Sequence, residues 1–317
     1  GLTRQAALGP RWVGWLDRLP RTVADLVEEW ELRYDGDPRH GYCSLVVPVR
    51  TTGGRPAVLK VALPDDENEH EHLALQRWQG NGAALLLRAD PRRYALLLER
   101  LHFEDLSELW DVEACEIVAG FYQRLHVAAL PQLRPLTSYV ERWNAGLAAL
   151  PKDAPMPRRL VEQAVSLAAS FLSDEASTGR MIHGDLHYEN VLAADREPWL
   201  VIDPKPLVGE REFSVVPMVR GTELGHSRAA VHHRLDRLSA ELGLDRDRVL
   251  GWTIGQTVAW SIDGDTLPGD CEGVTFAPTA VTSSGGPQPA PAMKAVQARY
   301  PQLSQNLCTT SSTRTDS

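Results

Sequence analysis

The stretch His183-Gly184-Asp185-Leu186-His187-Tyr188-Glu189-Asn190, followed by the apolar run Trp199-Leu200-Val201-Ile202 that ends in Asp203, decides how this chain is read. An Asp five positions before an Asn, with a second Asp at the tip of a short strand downstream, is the arrangement that phosphoryl transfer from a nucleotide requires. One carboxylate must reach the attacking hydroxyl, while an amide oxygen and a second carboxylate face a metal ion at the phosphates. In this pattern Asp185 is the candidate base, and Asn190 and Asp203 supply the hard oxygen donors that Mg²⁺ prefers. His183 is expected to pack or hydrogen-bond behind the loop, and Gly184 to permit an unusual backbone angle. Reading His183-x-Asp185-x-His187 as a transition-metal cluster instead lacks a third strong donor and leaves Asn190 and Asp203 without a task.

Working outward, the segment from Met181 to Asp203 reads as strand, loop, strand Val191-Leu192-Ala193, turn Asp195-Arg196-Glu197-Pro198 and strand Trp199–Ile202, so the candidates sit at the two ends of one hairpin. Upstream, Tyr42–Arg50 and Ala57–Leu63 flank Thr51-Thr52-Gly53-Gly54-Arg55-Pro56 and read as a second hairpin. Side chains alternate along a strand, so Lys60, which shares a side with Val58 and Ala62, must leave the core by pointing into a cleft, where a phosphate can meet it. An edge-strand lysine in water is the bland alternative. The acidic run Asp65–Glu71 precedes the apolar positions Leu73, Leu75 and Trp78, as at a helix start, and Glu71 is the acid expected to pair with Lys60.

Ala83–Arg88 and Tyr94–Arg100 read as two further strands, and the coarse expectation is a five-stranded N-terminal lobe that crosses into a helical one at Glu99–His102, where an adenine base could bond to backbone near Glu99. Before the sheet, the spacing of Val13, Leu16, Leu19, Val23, Leu26 and Val27 predicts amphipathic helix, split into two at Pro20 because an interior proline costs about 3 kcal/mol. Trp12, Trp15 and Trp30 are expected in the core of this lobe. Helical periodicity predicts helix from Asp105 to about His126, over Leu160–Phe171, around Ala229–Leu242 and around Val249–Ser261.

The bounds are therefore residues 1–100 for a nucleotide-binding lobe with leading helices and 101–269 for a catalytic and substrate lobe. Residues 270–317, rich in Ser, Thr, Pro and Gly, are expected to form a disordered tail, since such composition buries too little apolar surface to offset ordering entropy. The four cysteines are far apart, without zinc-site spacing or a disulfide framework, which suits a reducing compartment. No stretch approaches the roughly 18 apolar residues of a membrane span, and none resembles a signal peptide, so a cytoplasmic chain without a membrane partner is expected. A formal charge of −9 disfavours nucleic acid as partner and suits a cationic small molecule.

His183–Asn190 together with Val201-Ile202-Asp203-Pro204-Lys205-Pro206-Leu207-Val208-Gly209 resembles the aminoglycoside phosphotransferase family, in its streptomycin 6-kinase branch of aminoglycoside/hydroxyurea resistance kinases. Leu45–Val49, Ala57–Lys60, Leu96–Leu101 and Trp252–Trp260 resemble it too, and the likeness spans about residues 12–265. The resemblance implies an α+β, two-lobed, protein-kinase-like fold, with a small antiparallel-sheet N-lobe and a mainly helical C-lobe. It implies an enzyme that uses ATP and Mg²⁺ to phosphorylate a hydroxyl of streptomycin; a monomer is expected. Asp185 is then the base, Asn190 and Asp203 are metal ligands, and Lys60, held by Glu71, binds phosphate. A polycationic substrate favours carboxylates, for which Glu189, Asp263 and Asp265 are candidates.

The chain departs from the pattern in two places. Gly36 and Gly41 flank Asp37-Pro38-Arg39-His40 without a close G-x-G-x-x-G, and Phe213 is followed by Ser214-Val215-Val216-Pro217 in place of an acid. A kinase of a metabolite, or a catalytically weak binding protein on the same fold, therefore stand as alternatives.

Overall fold

The computed structural model describes residues 2–150, 157–172, 179–221, 225 and 227–260. In chain order, a 3₁₀ segment (Leu2–Leu8) leads into helix α1 (Pro10–Glu29), strands β1 (Arg33–Tyr34), β2 (Arg39–His40), β3 (Ser44–Arg50) and β4 (Pro56–Ala62), helix α2 (Glu71–Trp78), and strands β5 (Leu86–Asp90) and β6 (Ala95–Glu99). Then follow α3 (Asp111–Leu125), β7 (Arg134–Pro135), α4 (Leu136–Ala148), α5 (Arg158–Leu172), β8 (Arg180–Ile182), β9 (Val191–Ala193), β10 (Trp199–Val201), β11 (Leu207–Gly209), α6 (Arg211–Ser214), α7 (Val216–Arg220), α8 (Arg228–Leu242) and α9 (Arg246–Trp260).

The first half is an antiparallel sheet of six strands in the order β1-β3-β4-β6-β5, with β2 also on β3, where the sequence suggested five. β3, β4, β5 and β6 correspond to the strands placed by residue in the sequence, whereas β1 and β2, with two residues each, are too short to show alternation and escape such a reading. The β3–β4 hairpin forms as expected, with Val46 opposite Lys60 and Val49 opposite Ala57. Its inner face packs on α1, where Trp12, Trp15, Leu19, Val23 and Leu26 form one buried stripe against Val47, Val49, Leu59 and Leu97.

α1 is a single helix, contrary to the break expected at Pro20. The ring removes one backbone hydrogen bond, but the stripe of large side chains on both sides of it is buried on one sheet. Burying each is worth about 1.5–3 kcal/mol, so continuity outweighs the proline.

The second half is helical. α3, which begins at Asp111 and not at Asp105 because residues 106–108 form a 3₁₀ turn, contributes the buried Cys115, Val118, Tyr122 and Leu125 to a core shared with α8, whose Leu235 and Leu238 are buried. That core also takes in Ala74, Trp78, Leu96 and Leu98 from the sheet half, so the two halves are joined by packed apolar surface. Two small sheets carry the centre of the molecule: β9–β10, and a three-stranded sheet in the order β7-β11-β8. Neither β7 nor β11 was expected, since each is too short for periodicity and contains or follows proline. Asp263, Asp265 and the expected tail at 270–317 lie outside the described residues.

Candidate active site

Lys60 lies in the middle of β4, between β3 and β6, and its side chain is buried. An ammonium there must be balanced by charge. Its Nζ donates to Glu71 Oε1 at 2.7 Å and Oε2 at 2.8 Å, from the first turn of α2, and to Asp203 Oδ1 at 2.5 Å. Burial acts to lower the Lys60 pKa, but Asp203 and Glu71 outweigh it and hold the group charged above its ordinary range. For Asp203, burial raises the pKa and Lys60 overrides it, so the carboxyl ionises below its ordinary range.

Asp203 follows β10 and has a left-handed backbone, φ 55°. This turn aims the carboxylate back toward Lys60 rather than along the strand. It is held by Ile202 N donating to Asn190 O at 2.9 Å and Lys205 N donating to His183 O at 2.8 Å, so β10 and its sequel are tied to the loop carrying Asp185.

That loop is held from behind. His183 is buried, stacks on Trp78 with ring centroids 6.1 Å apart, lies 2.9 Å through Nε2 from Ile202 O, and accepts Asp185 N at Nδ1 at 3.3 Å. Burial pushes its pKa down to about 4, so the ring is neutral and both nitrogens are used in the fold. This disposes of the transition-metal alternative: among the described residues no three His, Cys, Asp or Glu side chains group as metal ligands. Asn190 donates Nδ2 to Asp185 O at 2.7 Å, which leaves its Oδ1 as the acceptor end of the amide. Two hard oxygen sources, Asn190 Oδ1 and the Asp203 carboxylate, thus flank the open end of the β9–β10 hairpin, where Val191 pairs with Val201. This donor set fits Mg²⁺.

Asp185 itself meets Lys205, whose Nζ lies 2.8 Å from Asp185 Oδ2 and 3.4 Å from Glu67 Oε2. Burial raises the Asp185 pKa, yet Lys205 and then His187 prevail and hold it well below the carboxylate range. Gly184 has φ 81°, and a Cβ there would lie 2.1 Å from Lys205 O, so the loop closes on the Lys205 backbone only with glycine. Gly184, Asp185, Lys205, Glu67, Arg134 and Tyr139 line one pocket.

Other expected residues sit elsewhere. The Glu99 carboxylate accepts from Leu85 N at 2.7 Å and Arg196 Nη2 at 2.8 Å, while its own amide donates to Leu85 O, so the side chain anchors the β9–β10 turn to the sheet. Glu189 is exposed on the 3₁₀ turn Tyr188–Asn190 and does not line the pocket of Asp185. Sequence reasoning passed over Arg134, Tyr139 and Glu67, and it gave Lys205 no task although the Asp-Pro-Lys-Pro segment was noted. Behind the loop, Tyr188 Oη donates to Asp111 Oδ1 at 2.8 Å, and the buried Arg234 lies 3.5 Å from Asp111 Oδ2, a support that no local motif announces.

Residues 29–263 match the sequence profile described as aminoglycoside/hydroxyurea antibiotic resistance kinase. The chain belongs to that family. Among its relatives is a streptomycin 6-kinase of Streptomyces glaucescens, 38% identical over 86% of this chain and 92% of that protein. A hydroxyurea phosphotransferase of Kitasatospora aureofaciens is 38% identical over 78% of this chain and 75% of that one. Among solved structures, a thermostable mutant of aminoglycoside phosphotransferase APH(4)-Ia, in ternary complex with AMP-PNP and hygromycin B, superposes with a TM-score of 0.55 at 16% identity, covering 76% of this chain and 92% of that chain. That likeness shows the two-lobed phosphotransferase fold.

Proposed function

We propose that this family member is an ATP- and Mg²⁺-dependent phosphotransferase that modifies a hydroxyl of an aminoglycoside, streptomycin at its 6-position, and so gives resistance to it. The observation that carries the reading is the convergence of three separate segments, β4 with Lys60, the loop with Asp185 and Asn190, and the turn with Asp203, tied by direct contacts. The streptomycin 6-kinase relative supports the acceptor. In this reading residues 1–100 form the nucleotide lobe and 101–269 the catalytic lobe, and the enzyme works in the cytoplasm, where ATP is available. No helix among the described residues is long and apolar enough to cross a membrane.

Lys60 binds phosphate oxygens, held in place by Glu71 and sharing its charge with Asp203. Asn190 and Asp203 hold Mg²⁺, which when bound neutralises charge on the phosphate oxygens. Asp185 orients the acceptor hydroxyl and takes its proton. Its depressed pKa keeps it ionised at neutral pH, so it is ready as a proton acceptor and positions the hydroxyl more than it drives deprotonation. Most of the acceleration then comes from positioning and charge neutralisation, as phosphoryl transfer demands.

The hydroxyurea phosphotransferase relative supports a second reading, a small acceptor at the same pocket. ATP turnover with streptomycin, other aminoglycosides and hydroxyurea, with the product followed by mass, separates the two. Transfer to streptomycin is expected; transfer to hydroxyurea alone at millimolar acceptor overturns the aminoglycoside assignment and leaves the phosphotransferase standing.

A further inference from the structure

Two cations beside Asp185 have no task in the chemistry above. Arg134 in β7 pairs in parallel register with Leu207 of β11, two residues beyond Lys205, and β8 pairs with the other edge of β11 before running into the Asp185 loop. One small sheet therefore delivers Arg134, Lys205 and Asp185 to a single pocket. The Nη1 of Arg134 is buried and has no hydrogen-bond partner among the described residues. A buried guanidinium donor left unpaired is costly, and a pocket that retains one suits an acceptor arriving from outside. Lys205 pairs with two carboxylates that face the same pocket, Asp185 at 2.8 Å and Glu67 at 3.4 Å, while its backbone is pinned to His183 O.

The Arg134 guanidinium and the Lys205 ammonium line one pocket with Asp185. They match a compact anion with several oxygens, and arginine matches phosphate by its fork of donors. In the phosphotransferase reading, on which this inference rests, the anion that comes to lie beside Asp185 is the phosphoryl group. We propose that Lys205 and Arg134 form the subsite that receives the phosphoryl group, Lys205 during transfer and Arg134 on the phosphorylated product. The acceptor oxygen forms a bond to the γ-phosphorus. The bond from that phosphorus to the bridging oxygen breaks, its electron pair leaving with the nucleoside diphosphate, and the hydroxyl proton passes to the Asp185 carboxylate. Neutralised, Asp185 releases Lys205, whose ammonium turns to a phosphoryl oxygen. Arg134 then pairs with the new phosphate ester, so both residues are catalytic.

Inorganic phosphate is the probe. Titrated calorimetrically into the full chain with Mg·ADP present, it is expected to bind Arg134→Met at least about tenfold more weakly than the unaltered chain, with partial recovery in Arg134→Lys and unchanged thermal midpoints. Affinity in Arg134→Met within about twofold of the unaltered chain overturns the subsite. For Lys205→Met, kcat is expected to fall about 10²-fold with less than about a threefold change in the acceptor KM, partly restored by Lys205→Arg. An unchanged kcat removes Lys205 from transfer. Failure of the functional reading looks different: the unaltered chain transfers phosphate to no acceptor, yet phosphate affinity still depends on Arg134, which supports the anion subsite and removes the transfer step.

Discussion

Gly184 sets the site by the methyl group it lacks. With φ 81° and Lys205 O 2.1 Å from the place of a Cβ, Gly184→Ala must break the contact that joins the Asp185 loop to the segment after Asp203. We expect it to lower stability by about 2 kcal/mol or more and turnover by at least about 10²-fold, read by thermal unfolding and steady-state kinetics. At Glu71, the alanine variant strips a carboxylate that meets the buried Lys60 ammonium through both oxygens and is expected to cost about 3–5 kcal/mol, measured by denaturant titration. The Lys60–Glu71 pair was legible in the sequence for a physical reason: strand alternation forces the lysine out of the core, and a helix beginning with acids stands next to it. Arg134 was not legible, because a lone arginine between Pro131 and Pro135 carries no period, and only its pairing with β11 brings it to Asp185.

At the scale of elements, α1 shows where local rules yield. The proline rule predicted a break at Pro20, but a stripe from Trp12 to Leu26 packs on one sheet and holds the helix together. Pro20→Ala restores one backbone hydrogen bond against a modest gain in unfolded-chain entropy, so it is expected to raise stability by about 1–2 kcal/mol, seen as a higher denaturation midpoint without loss of activity. The β3–β4 hairpin and the long helices were readable because each spans enough residues to show its period. β1, β2, β7 and β11 have two or three residues each, too few to show a period, and β7 and β11 exist only through partners distant in sequence, which no window of local pattern records.

Across the whole molecule, α2 and the Asp185 loop behave as one body. Trp78 stacks on His183 and donates its indole N–H to Leu125 O at 3.0 Å, so the helix that carries Glu71 is fastened to the helical half. The same core makes stability depend on pH. Both ring nitrogens of His126 are buried without a hydrogen-bond partner among the described residues, and burial, then Arg211 and Arg180, push its pKa from 6.5 down to about 3. The unfolded chain therefore binds more protons between those values, so stability falls as pH drops through that window and is flat above it. His126→Phe is expected to lose less of its thermal midpoint than the unaltered chain between pH 6.5 and pH 4.5; equal losses contradict the assignment. The central claim is phosphoryl transfer at Asp185, and its most direct measurement is the passage of the γ-phosphoryl of labelled ATP to streptomycin by the unaltered chain and by Asp185→Ala. Transfer by the former, reduced about 10²-fold or more in the latter at unchanged ATP affinity, is the predicted result, and equal transfer by the two contradicts it.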